Sequence, residues 1–184
     1  MRIIAGDYKG RKLEAPQDND IRPTSDKVKE AIFSILMPYT EDGVFVDLFA
    51  GTGGLGLEAI SRGAKFCYFC DKERNAIAII KSNIEKCGAD EYSKVIIGDY
   101  MKALRRLEGE KVDVFILDPP YKSGLYEKAL NSIDSLDLLS DEGIIIAEHQ
   151  KELKLPDSIG SLVMFKERNY GNIVLSLYKK DREV

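Results

Sequence analysis

From residue 44 onwards, short runs of apolar residues alternate with stretches in which apolar residues recur every three or four positions. The short runs predict five strands, at 44–49, 65–70, 95–97, 112–117 and 144–147. The stretches between them predict helices near 55–62, 74–86, 101–107 and 126–138. Because strands and helices alternate, we predict an α/β fold with a parallel, doubly wound sheet.

Two more apolar runs, at 162–167 and 172–178, follow near the end of the chain. The residues between them, around Tyr170 and Gly171, are too few for a crossover helix, so these two strands should pair antiparallel. The prediction is therefore a mostly parallel, seven-stranded sheet that ends in an antiparallel hairpin.

Residues 1–43 follow a different pattern. Strand-like runs at 2–5 and 11–14 flank a turn that contains glycine, which predicts a small β-hairpin. Apolar residues on one helical face then predict a helix that begins at Thr24 or Ser25 and ends at Pro38. We expect 1–43 to form an extension and 44–184 to form the main domain.

The composition is that of an ordinary globular protein, with 184 residues, 44% of them hydrophobic, and a net charge of −4. No apolar run approaches the roughly 20 residues of a membrane span, and charge and glycine come too early for a secretory signal. These features predict a soluble, cytoplasmic protein. Cys67 and Cys70 lie in one apolar run on opposite faces of a strand, which favours core cysteines over a metal site.

The first thirteen residues are basic although the chain is acidic. They contain four cations, Arg2, Lys9, Arg11 and Lys12, and one anion, Asp7. This local charge is compatible with a solvated hairpin or with a surface that contacts nucleic-acid phosphates, and charge alone does not separate the two.

A glycine-rich turn follows the first predicted strand. Gly51, Gly53 and Gly56 match the spacing of a dinucleotide-binding turn, which by itself suggests NAD as readily as another nucleotide. Asp47, at the end of the strand, would repel a pyrophosphate but attract the ammonium and sulfonium groups of S-adenosylmethionine. The alternative for Asp47 is a carboxylate that caps the turn.

Two further acidic residues end the next two predicted strands. Asp71 is placed to accept hydrogen bonds from ribose hydroxyls. Asp99 is placed to accept from the adenine amino group, to cap the next helix, or both, and Tyr100 to pack beside the adenine ring. Three acids at three successive strand ends favour a nucleoside site.

The fourth predicted strand ends in Asp118-Pro119-Pro120-Tyr121. Two prolines make a stiff turn without N–H donors, so the Asp118 carboxylate and the Pro119 carbonyl become acceptors on one side of a pocket. Two acceptors on an exocyclic amino group localise its lone pair for attack on a methyl sulfonium, and Tyr121 offers a face on which a base can stack. The motif favours methylation of an amino nitrogen.

Together, the stretches 47–53 and 118–121 resemble class I, Rossmann-like methyltransferases that act on amino nitrogens. Residues 2–6, 9–13 and 22–30, with 55–59 and Tyr170-Gly171, narrow the resemblance to the RsmD family over nearly the whole chain. This family makes N2-methylguanine in 16S ribosomal RNA.

The resemblance implies a strand order 3-2-1-4-5-7-6 with strand seven antiparallel, S-adenosylmethionine as cofactor, and the small ribosomal subunit as substrate. It implies that Arg22 and Thr24 lie near the cofactor and the base. Lys27 and Lys29 stand where the family often has arginine, which would weaken the grip on RNA.

The predicted site has three parts. The catalytic residues are Asp118, Pro119, Pro120 and Tyr121. The cofactor-binding residues are Asp47, Phe49, Ala50, Gly51, Thr52, Gly53, Asp71, Lys72, Asp99, Tyr100, Arg22 and Thr24. The RNA-binding residues are Arg2, Lys9, Arg11, Lys12 and Lys27.

Three polar residues are left outside this site. We expect His149 to have no role as a base, Glu58 to cap or pair locally, and Asp113 to face the surface. Three other functions remain open: a DNA adenine-N6 methyltransferase, a nicotinamide oxidoreductase and a non-catalytic RNA-binding scaffold.

Overall fold

The computed structural model describes residues 1–16, 25–120 and 124–181. Its helices are α1 (Asp26–Thr40), α2 (Gly54–Ser61), α3 (Arg74–Cys87), α4 (Tyr100–Arg105) and α5 (Leu125–Ser135), with a 3-10 turn at Asp90–Tyr92. Its strands are β1 (Val44–Asp47), β2 (Phe66–Asp71), β3 (Ser93–Ile97), β4 (Val112–Leu117), β5 (Leu139–Gln150), β6 (Ser158–Ile159), β7 (Leu162–Tyr170) and β8 (Ile173–Lys180). The alternation predicted from the apolar pattern is confirmed.

The strands form one mixed sheet in the order β3-β2-β1-β4-β5-β8-β7-β6. β1 to β5 pair in parallel, while β8 pairs antiparallel with both β5 and β7. The predicted order and terminal hairpin are confirmed, because the predicted strands six and seven are β7 and β8. The two-residue edge strand β6 is an addition, too short to give a periodic signal in the sequence.

Helices cover both faces of the sheet. One core cluster packs α1, α2 and α3 against the sheet, and the other packs α4 and α5 against the opposite face. Cys67 belongs to the first cluster and Cys70 to the second, so the predicted alternation of these buried cysteines is confirmed. The chain order reverses between β1 and β4, and ligands bind at the carboxyl ends of the strands beside such a reversal.

The predicted N-terminal β-hairpin forms, but it is shorter than the two predicted strands. Its arms meet at an antiparallel bridge between Arg2 and Lys12, with a backbone hydrogen bond on each side, and neither arm is a strand of the sheet. Beyond this bridge, the N–H groups of Ile4 and Ala5 donate to the carboxylate of Glu58. A side chain from α2 therefore binds the backbone donors that follow the bridge.

The prediction that α1 ends at Pro38 is also wrong, since the helix continues to Thr40 with the proline inside it. A proline in the last turn removes one backbone hydrogen bond, and the Thr40 hydroxyl donates to the Leu36 carbonyl at 2.8 Å in the same turn. Ser25 caps the start of the helix by accepting from the Val28 N–H. The other predicted cap, Thr24, lies outside the described residues.

No helix within residues 1–16, 25–120 and 124–181 is long and apolar enough to cross a membrane.

Candidate active site

The glycine-rich turn links the end of β1 to the start of α2. Gly51 and Gly53 have φ values of 56° and 77°, in the left-handed region that glycine adopts without strain. A Cβ on Gly51 would meet no atom within 4 Å, whereas a Cβ on Gly56 would lie 2.4 Å from the Phe69 ring. Gly51 therefore leaves open space at the turn, and Gly56 lets α2 pack closely on the sheet.

Asp47 is buried at the end of β1, with 2% of its surface exposed. Its Oδ2 accepts from the Gly56 N–H at 3.0 Å, so the interpretation of Asp47 as a cap of the turn is confirmed. Burial raises its pKa to about 7, the Gly56 N–H lowers it, and the nearby Asp71 carboxylate raises it. A cation beside Asp47 would relieve this unfavourable burial of charge.

Asp71 ends β2, and its carboxylate is hydrogen-bonded to the backbone of the same turn. Its Oδ2 accepts from the Gly51 N–H and its Oδ1 from the Glu73 N–H, each at 2.9 Å. Lys72, predicted to bind cofactor, is exposed, and its Nζ lies 3.7 Å from the Glu73 carboxylate. The predicted roles of Asp71 and Lys72 toward a cofactor stay predictions.

Asp99 and Tyr100 follow β3 at the same edge. The Asp99 carboxylate caps α4 by accepting from the Lys102 N–H at 2.8 Å. This confirms the helix cap, one of the two roles predicted for Asp99. The ring of Tyr100 lies 6.4 Å from that of Phe49, which follows β1. These contacts join the ends of β1 and β3 across β2.

The motif predicted to be catalytic leaves β4 directly. Asp118 comes after the last strand residue, Pro119 is buried and Pro120 is exposed. Burial raises the pKa of Asp118 well above its ordinary value, and the carboxylates of Glu148 and Asp47 raise it further. Tyr121 lies outside the described residues, as do Arg22 and Thr24.

Glu148, near the end of β5, belongs to this acidic group and was not predicted. The last β4–β5 pair is Leu117 with Ala147, so Asp118 and Glu148 follow it side by side. Glu148 is 7% exposed. In the sequence, Glu148 was noticeable only as an acid within an apolar run. Its place beside Asp118 depends on the pairing of β4 with β5.

Glu58 is fully buried on α2 and holds the N-terminal segment, which we define as residues 1–14. Besides the N–H groups of Ile4 and Ala5, its carboxylate accepts from Arg62 Nε at 2.9 Å and lies 3.7 Å from Lys29 Nζ. Local pairing with Arg62 is confirmed, but the long-range contacts were not predicted. Glu58 joins the segment, α1 and α2.

Asn83 on α3 connects the N-terminal segment to the glycine-rich turn. Its amide donates to the carbonyls of Glu14 and Thr52, and its oxygen accepts from the Glu14 N–H. The Thr52 hydroxyl lies 3.8 Å from the Met1 sulfur. The segment therefore packs directly against the turn, with no sequence signal beyond a polar residue on an apolar helix face.

The residues predicted to bind RNA differ in their surroundings. Lys9, Lys12 and Lys27 are exposed. Arg2 is paired with Asp26 at 3.3 Å, and Arg11 donates to the Lys86 carbonyl. Lys29, which the resemblance associated with the grip on RNA, is 1% exposed and donates to the Arg2 carbonyl, so that association is wrong.

His149 and Asp113 both have structural contacts. The His149 ring is buried, and its nitrogens lie 2.8 Å from the Ser176 hydroxyl and 2.9 Å from the Gln150 carbonyl. Asp113 is half-buried rather than at the surface as expected, because it accepts from the Val44 N–H and the Ser140 hydroxyl. Within the described part of the chain, no group of three or more His, Cys, Asp or Glu residues could hold a metal ion.

Known proteins resemble this chain over nearly its whole length. The model of a family described as "Conserved hypothetical protein 95" matches residues 1–179. The YlbH protein of Bacillus subtilis is 41% identical over 98% of this chain and 99% of its own length. The Escherichia coli "Ribosomal RNA small subunit methyltransferase D" is 32% identical over 100% of this chain and 91% of its own length.

Solved structures agree with the sequence comparison. The yhhF protein of Escherichia coli is 31% identical and superimposes with a TM-score of 0.87 over 98% of both chains. The fold, the acidic edge beside the glycine-rich turn and relatives of matching length lead to one conclusion. This chain belongs to the RsmD family of ribosomal RNA methyltransferases.

Proposed function

We propose that this protein transfers a methyl group from S-adenosylmethionine to the exocyclic N2 of a guanine in 16S ribosomal RNA. The observation that carries the proposal is the proline-stiffened Asp118 turn, which leaves β4 beside Asp47 and the glycine-rich turn. The relatives named small subunit methyltransferases support the choice of substrate.

The residues at the carboxyl edge fit S-adenosylmethionine by their chemistry. When bound, the cofactor supplies an electrophilic methyl group on a cationic sulfonium. Asp47 offers that cation and the ammonium group a buried carboxylate with a raised pKa. Asp71 and Asp99 would accept from the ribose and the adenine, and the open space at Gly51 would receive the ligand.

Asp118 and Pro119 would act on the amino group that is methylated. The carboxylate and the Pro119 carbonyl would accept hydrogen bonds from its two N–H groups, which reduces delocalisation of the nitrogen lone pair into the ring. Once the nitrogen has gained the methyl group, it loses one proton to Asp118 or to water. A cation nearby lowers the pKa of Asp118 and so favours the ionised acceptor. The turn also fixes the orientation of the nitrogen for in-line attack.

The exposed lysines of the N-terminal segment, Lys9 and Lys12, with Lys27 on α1, would contact RNA phosphates. We propose that residues 1–43 act as an extension that grips RNA and covers the cofactor site, and that 44–184 form the catalytic domain. The packing of the segment against the glycine-rich turn supports this division.

The test is transfer of labelled methyl to small ribosomal subunits from cells that lack this enzyme, followed by nucleoside analysis. We expect N2-methylguanosine from the natural protein, and a fall of about 100-fold or more for Asp118→Asn with unchanged affinity for S-adenosylmethionine. Asp90→Asn, at an exposed site on the 3-10 turn, is the matched control.

Each contrary outcome identifies a different error. Methylation of adenine N6 in DNA without transfer to subunits would replace the RNA substrate by DNA. Tight binding of NAD without binding of S-adenosylmethionine would overturn the cofactor. Full activity of Asp118→Asn would overturn the proposed role of the turn.

A further inference from the structure

The inference concerns Glu148 and rests on the proposed function. β4 and β5 are parallel, and their last paired residues are Leu117 and Ala147. Asp118 and Glu148 come next along two neighbouring strands, which lie about 4.8 Å apart in a sheet. Ile116 and Ile146 belong to the first core cluster, and Leu117 and Ala147 to the second. The alternation of side chains therefore directs Glu148 to the first-cluster face, the face of Asp47 on β1.

Close approach of the two acids is also evident from their electrostatics. The Glu148 carboxylate is the largest charged contribution to the raised pKa of Asp118, ahead of Asp47. Two carboxylates that lie this close together are suited to a ligand that presents two adjacent hydrogen-bond donors. Such a ligand would compensate both acids at once.

The backbone holds Glu148 in a fixed place. Its carbonyl accepts from the Tyr126 hydroxyl at 2.5 Å, and it is paired with Leu175 of β8. The ring of the next residue, His149, is hydrogen-bonded to the hydroxyl of Ser176, which also lies on β8. A side chain on such a rigid strand can select a hydrogen-bonding partner by position.

Guanine differs from the other bases that carry an exocyclic amine in the atom beside that amine. In guanine it is N1–H, a donor, whereas in adenine (N1) and cytosine (N3) it is an unprotonated ring nitrogen and an acceptor. A second carboxylate beside the amine-binding acceptor therefore attracts guanine and repels the other two. We propose that Glu148 determines the choice of base by accepting the N1–H of guanine while Asp118 holds its N2 amino group.

The experiment replaces one base in the substrate. Small subunits are assembled with guanosine or with 2-aminopurine riboside at the methylated position, since 2-aminopurine keeps the N2 amine but has an acceptor at N1. We expect the natural protein to prefer guanosine by about 10- to 100-fold in kcat/KM. Glu148→Gln should reduce this preference to less than about threefold, because an amide can either donate or accept.

The controls separate base reading from loss of structure. Glu152→Gln, an exposed acid in the turn after β5, should keep the natural preference. Affinity for S-adenosylmethionine and the melting midpoint of Glu148→Gln should stay close to those of the natural protein. If Glu148→Gln does not fold, equal use of guanosine and 2-aminopurine by the natural protein would still overturn the inference.

The contrary outcomes are distinct. Equal use of guanosine and 2-aminopurine by the natural protein overturns the inference, and so does an equal fall for both substrates in Glu148→Gln. In both cases N2-methylguanosine would still form, so the proposed function would stand. Absence of N2-methylguanosine with the natural protein would overturn the proposed function and the inference with it.

Discussion

Asp47 combines a contact that the structure shows with a role in cofactor binding that we propose. Its Oδ2 caps the backbone at Gly56, which fixes the entry of α2, and its burial makes the ionised form unfavourable in the free protein. A charge held in this way is ready to receive a cation. The two interpretations of Asp47 from sequence, turn cap and cofactor ligand, are therefore compatible, and the structure establishes the first.

The raised pKa of Asp47 has a consequence for stability. Since the folded protein keeps this proton until about pH 7, and an ordinary Asp loses it near 3.8, folding becomes less favourable as pH rises through that window. Through this group the natural protein should lose up to roughly 3 kcal/mol of its free energy of unfolding between pH 5 and pH 8, and Asp47→Asn should abolish that loss. Urea unfolding at both pH values measures it.

Asp90→Asn, whose acid is exposed, provides the control and should follow the pH profile of the natural protein. If Asp47→Asn also follows the natural profile between pH 5 and 8, Asp47 does not carry a raised pKa in the folded protein.

At the scale of elements, the N-terminal segment is attached to α2 by a buried network rather than by a sheet. The network centres on the Glu58 carboxylate, which receives two backbone N–H groups and lies against Lys29 and Arg62. Ser61 adds its carbonyl and hydroxyl, which accept from Asp7 and Tyr8. Gly6 lies so close that a Cβ there would fall 1.7 Å from the Ser61 carbonyl oxygen.

Removal of the Glu58 charge should release this segment. Glu58→Gln leaves the Lys29 ammonium buried without its counter-charge, and we expect a loss of about 3–5 kcal/mol in the free energy of unfolding. Urea unfolding gives the loss, and limited proteolysis should cut the first fourteen residues sooner.

Glu14→Gln is the matched control. Glu14 lies in the same N-terminal segment, and the substitution breaks its exposed ion pair with Lys86 of α3. Exposed pairs contribute little, so this variant should unfold almost as the natural protein does. Comparable losses in the two variants would contradict the importance assigned to the buried network.

At the scale of the whole molecule, charge is unevenly distributed. The chain carries a net charge of −4, and acids gather at the carboxyl edge, yet exposed lysines lie in the N-terminal segment and at Lys27. Contacts to phosphates depend on local charge and are weakened by salt. The acidic edge would receive the cofactor and one base, while the basic segment would hold the RNA backbone.

This division predicts the salt dependence of RNA binding. The double variant Lys9→Gln with Lys12→Gln should weaken binding to small subunits, and the slope of log affinity against log salt should decrease by about one for each phosphate that is no longer neutralised. Filter binding between roughly 50 and 200 mM salt measures the slope. Lys65→Gln, an exposed lysine before β2, is the control and should leave it unchanged.

An unchanged slope in the double variant would remove Lys9 and Lys12 from the RNA surface. It would then assign the local charge of the first thirteen residues to a solvated segment, the alternative that composition left open.

Local patterns in the sequence predicted the alternation of strands and helices, the antiparallel end of the sheet and the acidic edge beside the glycine-rich turn. These features follow from local periodicity, chain length between strands and residue types at strand ends, such as Asp47 and Asp118, so they need no knowledge of long-range contacts. The resemblance of 47–53 and 118–121 to methyltransferases added the chemistry.

The tertiary structure decided the rest, because the deciding partners are distant in sequence. Glu148 joins Asp118 only when β5 pairs with β4, and Lys29 becomes buried only when α1 packs beside Glu58. The N–H groups of Ile4 and Ala5 are bound by the carboxylate of Glu58, more than fifty residues away. Periodicity records which face of an element is apolar, but not which polar groups will meet when those faces pack.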